Sequence, residues 1–152
     1  MRAAEEKELR SFYAESSNED QELAAGPADY AVLLETEERE NGQLSRLLET
    51  LTEELRRQLG SDLWLLMLYG SYARGEAQPD SDVDLFVVLH QASEAAYEKV
   101  RQVAYRVMWE ADFAYVFSLY LTDRHHYQTL KQHGSSFLRN VQRDRKVLWK
   151  AA

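Results

Sequence analysis

Cysteine is absent from this 152-residue chain, and proline occurs only twice, as Pro27 and Pro79. Without thiols the chain forms no disulfide and no thiolate metal site, which fits a cytosolic protein. No apolar run approaches the roughly 18 residues of a membrane-spanning helix. The first residues, MRAAEEKELRSFYAESS, lack the apolar centre of a secretory signal and hold too many acids for a transit peptide. Disorder throughout is excluded too, because 45% of the residues are apolar, enough for a packed core. No internal repeat and no low-complexity linker is present.

The formal net charge is -8, and it is unevenly placed. Residues 1–42 hold twelve acids and four bases, whereas residues 43–152 hold fourteen of each. The acidity belongs to an N-terminal arm, and the remainder is balanced. A global negative charge argues against general nucleic-acid binding. A neutral body still leaves room for a local basic site.

Residues 3–15 are rich in good helix formers. Ser16 and Ser17, each with an acid three residues on, have capping-box spacing, and a short helix to Ala25 would stop at Gly26-Pro27. Asp29 could cap a helix from Tyr30 to Glu40, with Asn41-Gly42 marking a turn. These pieces are too short and too acidic to make a core of their own. The predicted boundary therefore falls between an arm, residues 1–42, and a domain, residues 43–152.

The domain opens with the clearest helix, Gln43 to Leu59. Leu44, Leu47, Leu48, Leu51, Leu55 and Leu59 form one stripe, and Gly60 stops it. Leu63 to Leu68 is a short continuous apolar run, as in a strand buried on both faces. Val83 to Leu89 reads as a second strand. Ser93 starts a helix to about Glu110, and the aromatic-rich Phe113 to Leu121 reads as a third strand. Asp123 could cap a helix over 124–132, ended by His133-Gly134. Ser135 or Ser136 starts a short helix, and Lys146 to Trp149 forms a last strand. The fold class expected is α/β (or α+β), a small mixed sheet with flanking helices plus a helical N-terminal arm.

The stretch Tyr69 to Leu89 carries the chemistry. A glycine straight after a buried strand, Gly70, lets the backbone turn sharply and approach a ligand. Ser71 adds a hydroxyl, and a helical turn begun there would favour an anion at its start. Asp82 and Asp84 are one residue apart at a strand start, so their carboxylates share a face and repel unless a cation lies between them. Mg²⁺ suits such a pair, because it takes oxygen ligands and is completed by substrate phosphates. Singly, each feature is more often a plain turn or a solvated acid. Ten residues, Tyr72 to Ser81, separate the glycine–serine turn from Asp82, a length that could bring the two together. Phosphoryl and nucleotidyl transfer need that layout.

The run GSYARGEAQPDSDVDL resembles the signature of the minimal nucleotidyltransferases of the DNA polymerase β superfamily. Gly70, Ser71, Ala73, Arg74, Gly75, Ser81, Asp82, Asp84 and Leu85 match it. The spacing is also that of the antitoxins that pair with HEPN-domain toxins, and the likeness covers about residues 44–150. It implies a polymerase β-like fold, ATP as substrate, Mg²⁺ on Asp82 and Asp84, and nucleotide contacts from Gly70, Ser71, Arg74 and Ser81. It also implies transfer of AMP to a tyrosine of a partner HEPN-type toxin, in the cytoplasm. One departure stands out. The superfamily's third carboxylate is expected on the next strand, yet FAYVFSLYL holds no acid, and Ser118 falls near that place. Asp112 and Glu110 could substitute under a shifted register, although a helix end and loop account for them better.

Other readings carry less weight. Arg74 pairs as readily with Glu76 or Asp80 as with phosphate. His125-His126, with His90 and His133, lack a carboxylate at ligand spacing, so a metal there is disfavoured. Arg139, Arg143, Arg145, Lys146 and Lys150 form a basic cluster that could meet a triphosphate, an acidic partner or the chain's own arm. The arm, with Phe12, Tyr13 and Tyr30, could mask a partner, promote self-association or cover the body. Rival functions are a small-molecule nucleotidyltransferase of the aminoglycoside-modifying kind, for which no substrate domain is visible, a non-catalytic module that binds nucleotide or toxin, and a metal-free structural relic.

Overall fold

The computed structural model describes the backbone of residues 27–152 and the side chains of residues 42–152. The helices expected at 3–15 and 16–25 lie outside the described residues. In order, the elements are α1 (Pro27–Leu59), β1 (Leu63–Tyr69), α2 (Gly70–Arg74), β2 (Val83–Leu89), α3 (Glu94–Glu110), β3 (Phe117–Asp123), α4 (Arg124–Gln132), α5 (Ser136–Asp144) and β4 (Lys146–Lys150).

The strands form one mixed sheet in the order β3-β2-β1-β4. β1 runs antiparallel to both β2 and β4, and β2 runs parallel to β3. Both faces are covered, as the unbroken apolar runs of β1 and β2 require. Leu66, Leu68, Leu85 and Val87 pack against α1 and α3 on one face. Met67, Tyr69, Phe86 and Val88 pack against α4 and α5 on the other. The leucine stripe of α1 behaves as its spacing dictates. Leu44, Leu48, Leu51 and Leu55 are buried, with Leu47 and Leu59 half-buried beside them. The edge strand β4 is also tied to α1, where the Arg56 guanidinium lies 3.9 Å over the Trp149 ring.

Three of the expected caps are in place, whereas Asp29 is not a cap, because α1 begins at Pro27 and runs through it. Ser93 accepts from the Ala96 N–H and starts α3, Asp123 accepts from His126 N at 2.7 Å and starts α4, and Ser135 accepts from Leu138 N and starts α5. Among the described residues no helix is long and apolar enough to cross a membrane.

Two further local expectations fail. The turn at Asn41-Gly42 does not form, and α1 runs through it without a break. Glycine weakens a helix but does not block one, so flanking helical turns can carry the ladder across it. β3 begins at Phe117 rather than Phe113 and reaches Asp123. Asp112 and Phe113 adopt left-handed backbone conformations (φ 53° and 54°), which keep the preceding residues out of the sheet.

Because Gly42 is helical and a Cβ there meets nothing within 4 Å, Gly42→Ala should raise stability by about 0.5–1 kcal/mol. Urea denaturation checks this. A loss of stability would show that residue 42 is not helical in solution.

Candidate active site

The signature stretch is bent back on itself where β1 ends. Tyr69 is extended, and Gly70 then takes φ 75°, a conformation open to glycine and costly for other residues. The turn places Gly70 directly against Asp84. A Cβ at position 70 would overlap Asp84 Oδ2 and lie 3.1 Å from its Cγ. The glycine therefore serves two ends, the turn and the close approach of a carboxylate.

Sheet register builds the rest. Asp84 pairs with Tyr69 across β1 and with Ser118 across β3. It is buried, and its place in the strand alternation puts it on the face of Phe86 and Val88, covered by α4 and α5. Asp82 has the same parity and is half-buried just before β2. Ser71 is 2% exposed, and among the described residues its Oγ has no hydrogen-bond partner. An orphaned buried hydroxyl, on the residue next to the glycine that meets Asp84, calls for a further partner. It fits a site that takes phosphate oxygens.

Ser81 has a structural task. Its Oγ accepts from Gln78 N at 2.9 Å and closes the loop that delivers Asp82. Arg74 ends α2 and is held by two acids, Glu76 Oε2 from Nε and Asp144 Oδ2 from its terminal guanidinium nitrogen, each at 3.1 Å. Glu76 was legible in the loop. Asp144, the only acid between residues 135 and 150, comes from α5, 70 positions away. Its isolation among arginines was the one available signal. Tyr72 on α2 meets Tyr115 edge-on, with ring centroids 5.9 Å apart, which braces the turn against the segment entering β3.

The third carboxylate does not appear beside the other two. Ser118 is the register partner of Asp84. Glu110 ends α3, and Asp112 lies in the left-handed turn that follows. Among the described residues no group of three or more histidines or acids could hold a metal ion, so neither Glu110 and Asp112 nor the four histidines make one. Asp82 and Asp84 are the two carboxylates that could hold a cation here, a set that fits a hard divalent ion only when phosphate oxygens complete it.

Asp144 shows how the turn is tied down. Its burial pushes the carboxyl pKa up, but hydrogen bonds from Arg143 and Arg74, with their charges, outweigh that and hold it below the usual carboxylate value. A depressed folded pKa contributes stability above the unfolded carboxylate pKa, and that contribution is lost as pH falls through the folded one. Asp144→Asn should therefore flatten the decline of stability in the acid range, measured as urea midpoints across pH. Gly70→Ala should destabilise by more than the roughly 1–3 kcal/mol of a left-handed alanine, because of the overlap with Asp84. Gly75→Ala, at φ 73° with open space around it, should show the backbone cost alone. Equal losses in the two variants would contradict the close approach.

The profile of the nucleotidyltransferase domain family matches residues 48–134, from mid-α1 through the whole signature to the end of α4. A protein of Methanocaldococcus jannaschii, provisionally named a protein adenylyltransferase, is 42% identical over 45 residues, which are 30% of this chain and 31% of that relative's length. A provisionally assigned nucleotidyltransferase of Sulfolobus solfataricus is 19% identical in sequence, with 84% of this chain and 92% of that one covered at a TM-score of 0.48. A Shewanella oneidensis complex of a tri-AMPylated HEPN toxin with its MNT antitoxin is 22% identical, with 70% and 72% covered at a TM-score of 0.40. With more than half its length inside the profile, and with the signature residues gathered at one turn, the chain belongs to the nucleotidyltransferase domain family.

Proposed function

We propose that this chain transfers AMP from ATP to a tyrosine hydroxyl of a partner protein, with Mg²⁺ as cofactor, and so acts in the cytoplasm as the antitoxin of a HEPN-type toxin. The observation that carries the reading is the contact of Gly70 with Asp84 beside the orphaned Ser71 hydroxyl. It joins a phosphate-accepting turn to the paired carboxylates. The signature spacing supports the AMP donor and the toxin partner.

In the proposed step the acceptor oxygen attacks the α-phosphorus of ATP. A new P–O bond forms, the bond to the β,γ-diphosphate breaks, and pyrophosphate leaves with the electron pair. Gly70 and Ser71 would hold phosphate oxygens through backbone N–H groups and the free hydroxyl. Asp82 and Asp84 would hold Mg²⁺, which when bound supplies charge neutralisation at the phosphates. Arg74, placed by Asp144, would add a positive charge at the turn.

Ser118 bears on the acceptor. With a hydroxyl where the family's third carboxylate is expected, the site has a weak means of taking the acceptor's proton. A phenol, with a pKa near 10, loses its proton far more readily than an aliphatic alcohol, which is about as weak an acid as water. Tyrosine is therefore the side chain best suited to this site, and the proton can pass to solvent. Ser118 equally supports a second reading, in which the chain binds nucleotide and partner without transfer.

Incubation with labelled ATP, Mg²⁺ and the protein encoded beside this one should label that protein, and Asp82→Asn with Asp84→Asn should abolish the label. If wild type binds ATP and the partner but no label moves, the second reading stands. Failure to bind ATP with Mg²⁺ present removes both. Ser118→Asp should raise the transfer rate roughly 10²-fold, the lower end of what a placed general base contributes, and more for a serine acceptor than for a tyrosine.

A further inference from the structure

Among the described residues, Tyr105, Trp109, Phe113 and Val116 are four of the five large apolar side chains left exposed. Tyr105 and Trp109, one turn apart on α3, stack with centroids 6.4 Å apart. Phe113 meets them edge-on at 5.7 and 6.1 Å. Single exposed aromatics are ordinary, but three in mutual contact mark a surface with a use. Core packing does not explain them, because α3 buries Val100, Val103, Ala104 and Val107 instead. Trp109 is 64% exposed. The backbone also works to keep Phe113 there. Asp112 and Phe113 both take left-handed conformations, and the Phe113 N–H donates to the Met108 carbonyl at 2.8 Å. Such residues each cost about 1–3 kcal/mol, a strain that clusters at functional surfaces.

The patch lies at the reactive end of the sheet. From Phe113 the chain runs three residues to Val116, whose carbonyl accepts from Val83 N at 2.7 Å. Val83 stands between Asp82 and Asp84. The rim is acidic, with Glu110 and Asp112 exposed and no base in the last turn of α3. The helix's C-terminal end adds partial negative charge. The arginines of α3 are engaged elsewhere, Arg101 with Glu94 and Glu98, and Arg106 with Glu54 at 2.7 Å.

We infer that Tyr105, Trp109 and Phe113 form a docking surface for a lysine- or arginine-bearing segment of the protein that presents the acceptor tyrosine. The ring faces take a cation, and Glu110 and Asp112 pair with it. Charge discriminates among occupants. The chain's own residues 1–26 carry seven acids against three bases and would meet like charge. A second copy seated through the same patch would set Glu110 and Asp112 against themselves. The identity of the occupant as acceptor rests on the function proposed above, whereas its basic character rests on the patch alone.

Binding of the full chain to soluble lysine–tyrosine and glutamate–tyrosine copolymers tests this without knowing the partner. The lysine copolymer should bind more tightly. Trp109→Ala should weaken that binding about tenfold or more, the loss typical of an aromatic anchor. Glu110→Gln with Asp112→Asn should weaken it likewise, and Glu49→Gln with Glu53→Gln on α1 should change it less than about twofold. Circular dichroism and ATP binding report whether each variant is folded. Equal effects of the two acid pairs would reduce the binding to net charge and overturn the proposal. So would unchanged binding by Trp109→Ala, or conversion of a wild-type dimer to a monomer by that change in sedimentation. Loss of AMP transfer to every acceptor would remove the function proposed above, yet the copolymer binding would still read the surface.

Discussion

Asp84 leaves no room for a side chain at position 70, and the site depends on that exclusion. A carboxylate in a buried strand is unfavourable unless something compensates its charge. Here it lies against the backbone of a turn that glycine alone makes without strain. The close approach fixes the distance between the end of β1 and the start of β2. It also fixes which groups can act together, because the orphaned Ser71 hydroxyl follows Gly70 directly and Asp82 follows the Asp84 parity out to the rim. The turn and the acids were two separate features in the chain, and the antiparallel pairing of Tyr69 with Asp84 makes them one.

The remaining elements hold that contact in place. Among the described residues helices cover both faces of the sheet, and the Gly70–Asp84 contact lies where β1 ends and β2 begins. On the α4–α5 side, the ion pair from Asp144 reaches the last residue of α2 and ties the turn to the C-terminal helix. On the other side, Tyr72 and Tyr115 pack edge to face. The parallel pairing of β2 and β3 then sets Ser118 beside Asp84. That one register assignment decides that the site has two carboxylates and a hydroxyl.

Legibility followed the range of the interaction. The leucine stripe of α1, the caps at Ser93, Asp123 and Ser135, and the apolar runs of β1 and β2 all depend on neighbours a few positions away. They folded as their spacing dictates. Asn41-Gly42 misled because dipeptide turn chemistry is a weak preference that a continuing helix overrides. The start of β3 misled because Phe113 has strand-like composition, yet its backbone is left-handed and its ring packs outward on Trp109. Asp144 gave only the faint signal of an acid alone among arginines, since nothing local to α5 points toward Arg74.

By itself the sequence determined the family signature, the helices from residue 43 onward, the strand cores and the candidates Gly70, Ser71, Asp82 and Asp84. These are encoded in short spacings and in periods of two and 3.6 residues. Tertiary structure alone decided that Asp84 fills the space over Gly70, that Ser118 stands opposite Asp84, that Asp144 holds Arg74, and that Tyr105, Trp109 and Phe113 face outward together. Each of those facts depends on sheet register or on the docking of one helix against another, and residues far apart in the chain meet only once those are set.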